Sequence, residues 1–217
     1  MVLKLYGNQH STNAQRVAFV LNEKNVPFEF VPVDFAKGEH KSEATLRYQP
    51  FGAVPYIIED DGFVLYESRA ICRYIATKYA NQGTPLLPAD LKKSALAEQA
   101  IQVETSRYEA AVGPYMIEKW LKPFLGGQPN EQVAAEMRKK LAETLDVYEK
   151  ILSKQKYLGG EELTLGDLYH VPWGVLLPTV GCDELQTRPH VAKWFNELKD
   201  RPAWQAAQAF KSTAASS

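Results

Sequence analysis

Two spacings alternate along the first eighty residues. Val2-Leu3-Lys4-Leu5-Tyr6 and Phe28-Glu29-Phe30-Val31 set apolar side chains at every second position, the period of a strand with one buried face. Between them Val17 and Leu21 stand four apart among good helix formers, which predicts a helix over 12–24. Strand, helix, strand is a βαβ unit, and such a crossover joins parallel strands. A second group follows. Pro55-Tyr56-Ile57-Ile58-Glu59 and Phe63-Val64-Leu65-Tyr66 flank Asp61-Gly62, the signal of a tight antiparallel hairpin, and helix resumes over 67–79.

The order βαβ then ββα predicts a mixed sheet with helices packed on it, an α+β domain of thioredoxin-like arrangement. The segment Asn81-Gln82-Gly83-Thr84-Pro85-Leu86-Leu87-Pro88-Ala89-Asp90 then concentrates Gly, Pro and Asx, as interdomain connections do. The chain is therefore expected to divide into a first domain over 1–80, a linker over 81–91 and a second domain over 92–217. In the second domain Val133, Met137, Leu141, Leu145, Tyr148 and Leu152 repeat at three- and four-residue steps, the mark of an all-α helical bundle. Thr164-Leu165-Gly166-Asp167 is a capping-box pattern, read as structural. The small polar run over 211–217 is expected to fray.

Composition narrows the field. Hydrophobic residues make up 45% and charged residues 24% of 217, an ordinary globular balance that excludes disorder as the main state. Lys and Arg number 25 against 26 Asp and Glu, so no bulk field draws phosphate backbones or anionic lipid, and neither nucleic acid nor membrane is an expected partner. Cys72 and Cys182 form no C-x-x-C or zinc-type cluster, so both read as reduced thiols and no metal site is expected. No sorting signal or membrane-length apolar run stands out, which makes the cytoplasm the expected compartment.

Four places carry candidate chemistry. Ser11 lies where the first strand hands over to the first helix, its hydroxyl beside unpaired N–H groups at a positive dipole end. An ordinary N-cap is the commoner role of such a serine. Glu67-Ser68-Arg69 opens another helix after a strand and offers the same welcome to a carboxylate. Pro50-Phe51-Gly52-Ala53-Val54-Pro55 brings a proline into a strand, where it cannot join the ladder. A cis Val54–Pro55 bond there would leave Val54's backbone to an extended peptide ligand. Gly38-Glu39-His40-Lys41 supplies a turn with cationic side chains, by itself a solvated loop.

In this order, Ser11 with Arg16-Val17, Glu39-His40-Lys41, Pro50-Phe51-Gly52-Ala53-Val54-Pro55, Glu67-Ser68-Arg69-Ala70-Ile71 and Thr164-Leu165-Gly166-Asp167-Leu168 resemble the glutathione transferases, specifically the phi class of plants and fungi. The resemblance spans nearly the whole chain, including Leu145-Asp146-Val147-Tyr148-Glu149. It implies a detoxifying enzyme that conjugates the glutathione thiolate to hydrophobic electrophiles, with glutathione peroxidase as a side activity. Matching positions make Ser11 the donor to the thiolate. Val54 with Ala53 and Pro55 meets the cysteinyl moiety, Glu67 and Ser68 hold the γ-glutamyl end, and His40 and Lys41 meet the glycyl carboxylate. Thr12, Phe35, Ile117 and Leu121 are implied to line a hydrophobic co-substrate site between the domains, and a homodimer is implied with them. The chain departs from the family at Ala53, where many members carry Gln, and at Gln9, where plant members usually carry Pro.

Two rival readings follow from the same residues. A thiol-disulfide reductase on this fold needs a cysteine at the first strand-to-helix junction, where His10-Ser11 stands instead. A ligandin-type carrier of hydrophobic compounds could keep the glutathione site without turnover, because fold alone does not fix activity.

Overall fold

The computed structural model describes residues 2–213, in two compact units. The first comprises the chain up to Leu87 together with the segment from Asp200 onward. It opens with β1 (Leu3–Gly7), α1 (Thr12–Glu23) and β2 (Phe28–Pro32), with β1 and β2 parallel in register Leu5↔Phe30. A 3₁₀ turn at Glu39–Lys41 and a one-turn helix α2 (Glu43–Leu46) lead to β3 (Tyr56–Ile58), β4 (Val64–Tyr66) and α3 (Ser68–Lys78). The sheet order is β2-β1-β3-β4, with β3 antiparallel to both neighbours, the expected mixed sheet. The Asp61-Gly62 turn forms as its sequence dictates. Gly62 takes φ +86°, and Asp61 Oδ1 accepts from Phe63 N at 2.9 Å.

Helix α1 lies at the centre of this unit. Val17, Ala18, Phe19, Val20 and Leu21 are all fully buried, so the helix is apolar around most of its circumference and needs cover on more than the sheet side. One neighbour is α3, through Ile71, Cys72 and Ile75. The other is α11 (Pro202–Thr213), whose Trp204 meets the Phe19 ring edge-on at 5.3 Å. This corrects the expected second domain of 92–217. The last helix belongs with the sheet, because it covers a further apolar side of α1. The helix continues through Thr213, where a frayed tail was expected; residues 214–217 lie outside the described residues.

The expected linker is also partly absorbed by the first unit. Lys24 Nζ donates to Thr84 O at 2.9 Å, Gln82 Nε2 to Lys24 O at 2.7 Å, and Thr84 N to Glu23 O at 2.8 Å, so the segment closes over the end of α1.

The second unit, Pro88–Lys199, is helical as expected. Asp90 caps α4 (Leu91–Val103) by accepting from Lys92 N and Lys93 N. The helix then widens into π turns at Glu104–Glu109 and Ile117–Leu121, on either side of α5 (Ala110–Met116). Pro114, which lacks an N–H and crowds the preceding turn, sits between these wide turns. After α6 (Lys122–Phe124) comes α7 (Glu131–Leu152), which buries Leu141, Leu145, Tyr148 and Leu152 as its spacing predicts.

The core closes on α8 (Leu165–Leu168), α9 (Val171–Gly174) and α10 (Pro189–Lys199). The capping box is present, and Asp167 does more than cap. Fully buried, it accepts from Leu158 N, Thr164 N, Thr164 Oγ1 and Trp194 Nε1 at 2.9–3.0 Å. Burial raises its carboxyl above the usual carboxylate range, and these donors oppose the rise. Among the described residues no helix is long and apolar enough to cross a membrane.

Candidate active site

Ser11 is held by a hydrogen-bonded turn. Asn8 O accepts from Ser11 N at 2.9 Å, Asn8 Oδ1 from His10 N at 2.9 Å, and Gln15 reaches back from α1 to donate to Gln9 O at 2.9 Å. Gln9 is thus pinned by the buried Gln15 side chain. Ser11 Oγ accepts from Ala14 N at 3.3 Å, which makes the serine an N-cap. That bond uses a lone pair and leaves the hydroxyl proton. Among the described residues the proton has no acceptor, and the amides of Thr12 and Asn13 have no hydrogen-bond partner. The cap and the donor role are therefore compatible in one residue.

The start of α3 is strained where α1 is relaxed. Glu67 has φ +70° and ψ 108°, a conformation that costs a side-chain-bearing residue about 1–3 kcal/mol. Its side chain makes no cap bond. Ser68 is buried, and its Oγ accepts from Arg16 Nη1 at 2.9 Å; the same Nη1 donates to Asn13 Oδ1. Asn13 is two residues from Ser11, so these bonds bring the N-termini of α1 and α3 side by side.

A third wall comes from two packed loops. The Val54–Pro55 bond is cis, as the strand-entry proline suggested. Among the described residues Val54's N–H and C=O have no hydrogen-bond partner. Gln49 Oε1 accepts from Phe51 N at 2.8 Å and Lys41 Nζ donates to Phe51 O at 2.9 Å, which ties the 38–41 turn to this loop. His40 rests against the Phe35 ring, centroids 4.5 Å apart. Ala53 is exposed and offers only a methyl group. Burial beside Tyr6 pushes the Tyr56 phenol up to about 12, so it stays neutral near pH 7.

The residues expected to meet a hydrophobic co-substrate are less alike. Phe35, Ile117 and Leu121 expose 45%, 43% and 36% of their surface, whereas Thr12 is 6% exposed. Ile117 and Leu121 open and close the second π turn of their unit. Cys72 is fully buried on α3, its Sγ directed at Arg16 O 3.7 Å away, a packed thiol rather than an exchange nucleophile. The sequence reading singled out Ser11, Glu67, Ser68 and Val54 but gave no role to Asn13, Gln15 or Gln49, and used Arg16 only as part of a motif. The one available signal was Asn13 and Arg16 at i,i+3 spacing, one turn apart on a helix.

The first unit thus combines a thioredoxin-like sheet, a serine at its first strand-to-helix junction, a strained Glu67 at the start of α3 and, among the described residues, an unpaired backbone at Val54. Residues 1–77 match the glutathione S-transferase N-terminal domain, and residues 103–202 the C-terminal domain. Glutathione S-transferase 3 of Zea mays is 44% identical over 207 residues, covering 94% of this chain and 91% of that one. The crystal structure of glutathione transferase F7 from Populus trichocarpa superimposes with a TM-score of 0.91 at 40% identity, covering 96% of this chain and 98% of that one. Glutathione S-transferase I from maize, solved in complex with an atrazine glutathione conjugate, gives 0.88 at 39% identity, covering 96% and 97%. The chain belongs to the glutathione S-transferase family, among relatives of the plant phi class. Glutathione is its co-substrate and conjugation of electrophiles its activity, which sets aside the carrier reading.

Proposed function

We propose that this chain activates glutathione through the Ser11 hydroxyl and transfers the thiolate to hydrophobic electrophiles. A free thiol of pKa about 8.5 is only a few per cent ionised at pH 7, and lowering it by two units takes roughly 2.7 kcal/mol of preferential thiolate stabilisation. A hydrogen bond to a charged group contributes about 1.5–3 kcal/mol, and a helix N-terminus about 0.3–1 more. Together they span about 1.8–4 kcal/mol, a range that includes the required figure without calling on a strong base. The sulfur then forms a bond to an electrophilic carbon, and the leaving group departs with the electron pair of the bond it gives up.

Around the sulfur, Val54 pairs main chain to main chain with the cysteinyl residue, beside Ala53 and Pro55. Glu67 and Ser68 take the γ-glutamyl end. His40 and Lys41 meet the glycyl carboxylate, Lys41 with two donors to spare beyond its bond to Phe51 O. In the first unit Phe35 offers apolar surface to the second substrate and Thr12 contributes at the base of the Ser11 turn; in the second unit Ile117 and Leu121 are the apolar side chains assigned to it. We place the working enzyme in the cytoplasm as a homodimer, with aromatic side chains of the 41–51 loop at the contact. The observation that carries this reading is the unspent proton of Ser11 beside two unspent amides.

Ultraviolet titration of bound glutathione tests it. Half-ionisation is expected at least about one pH unit below the free thiol. Ser11→Ala is expected to return the titration toward the free value and to lower kcat/KM for a chlorinated nitroaromatic about tenfold or more, with glutathione affinity within about threefold. A bound thiol as weakly acidic as the free one overturns the assignment.

A further inference from the structure

Arg16 is fully buried, so its guanidinium cannot itself touch a ligand at the surface of the site. Its Nη1 nevertheless donates to Ser68 Oγ at 2.9 Å and to Asn13 Oδ1. We propose that Arg16 is a positioning residue that commits the Ser68 hydroxyl to donate to the γ-glutamyl α-carboxylate of glutathione and sets a fixed positive charge behind it. The proposal rests on the assignment of Ser68 to that carboxylate.

A serine hydroxyl can donate or accept, and a carboxylate accepts only. An unsupported serine thus spends part of its time with a lone pair facing the ligand. With Oγ accepting from Arg16, the remaining choice belongs to the proton. Its partner here, Asn13 Oδ1, lies 3.5 Å away, at the outer limit of a hydrogen bond, so a carboxylate at ordinary hydrogen-bond distance takes the proton instead. Bound carboxylate, Ser68 hydroxyl and guanidinium then form one chain in which each donor faces an acceptor. A hydroxyl polarised by a cation is the stronger donor, because bonds in such a chain reinforce one another. The same charge disfavours an ammonium in that position, so the α-carboxylate and α-amino groups of the glutamyl residue are told apart.

The test is a ratio of affinities measured by calorimetry on the whole protein. Glutathione is compared with 4-aminobutyryl-cysteinylglycine, which lacks only the glutamyl α-carboxylate. In the parent protein the analogue is expected to bind about tenfold more weakly or worse. In Arg16→Gln the ratio is expected to fall below about threefold, and Arg16→Lys, with charge but no planar fork, to lie between. A packing role alone would lower stability and weaken both ligands equally, leaving the ratio where it was, and that result overturns the proposal. If Arg16→Gln does not fold, Arg16→Lys decides: a ratio at least about twofold below the parent's supports it, an unchanged one overturns it. A parent protein that binds both ligands alike removes the Ser68 assignment and the proposal with it. Tight glutathione binding with an unmoved Arg16 ratio removes the proposal alone.

Discussion

Gly52 takes φ +59°, and a Cβ built there falls 2.6 Å from Lys41 Cδ and 2.8 Å from His40 O. The Lys41 chain can swing aside, but the His40 carbonyl is backbone and must move with its turn. Gly52→Ala is therefore expected to raise KM for glutathione about tenfold while kcat changes about twofold or less, because the loss falls on ground-state binding. Steady-state kinetics with varied glutathione reads this directly, and an unchanged KM would mean that the 38–41 turn does not serve the tripeptide. Ser11, Ser68 and the Val54–Pro55 bond were legible in the sequence because each depends on a local rule: a hydroxyl at a helix start, or a proline entering a strand. Arg16 was not, since an arginine in a helix ordinarily reaches water. Its burial is decided by α3, more than fifty residues downstream, and no local pattern announces that.

Helix α1 depends on elements distant in the chain. Glu23, at its last turn, has a side chain 3% exposed; it accepts from Arg201 Nη2 at 2.8 Å and from Thr84 Oγ1 at 2.6 Å. One carboxylate thereby joins α1, the connecting segment and the approach to α11. Burial pushes the neighbouring Lys24 ammonium down from its ordinary range, and the charge of Glu23 opposes that push. Glu23→Ala would strip both cations of this support. It is expected to cost about 2–4 kcal/mol, seen as a lower urea midpoint with an unchanged slope. A loss under about 0.5 kcal/mol would show that the pair only breaks even against its desolvation. The order of strands and longer helices up to Lys78 was readable from spacing, with ends shifted by a residue or two, whereas the single turn of α2 was not. The attachment of α11 was not, because an apolar stripe states that a helix packs and not on which partner. The π turns at 104–109 and 117–121 were hidden for a related reason: widening a turn by one residue needs no distinctive composition.

At the scale of the whole molecule, the proposed assembly is a pair of chains. Phe51 is 68% exposed on the loop that also carries Gly52. Sedimentation across a concentration series is expected to report a two-chain mass, and Phe51→Ala to raise the dissociation constant about tenfold. A single-chain mass at about 50 µM would reject the dimer. The pairing of α1 with the segment after residue 200 bears also on biosynthesis. Asn22 and Ala203, hydrogen-bonded at 3.0 Å, are separated by 181 positions. At about 5–20 residues per second a ribosome takes roughly ten to forty seconds to cover that interval. Throughout it the nascent sheet domain carries Phe19 uncovered, so this part of the enzyme matures only after the helical unit between them has been made.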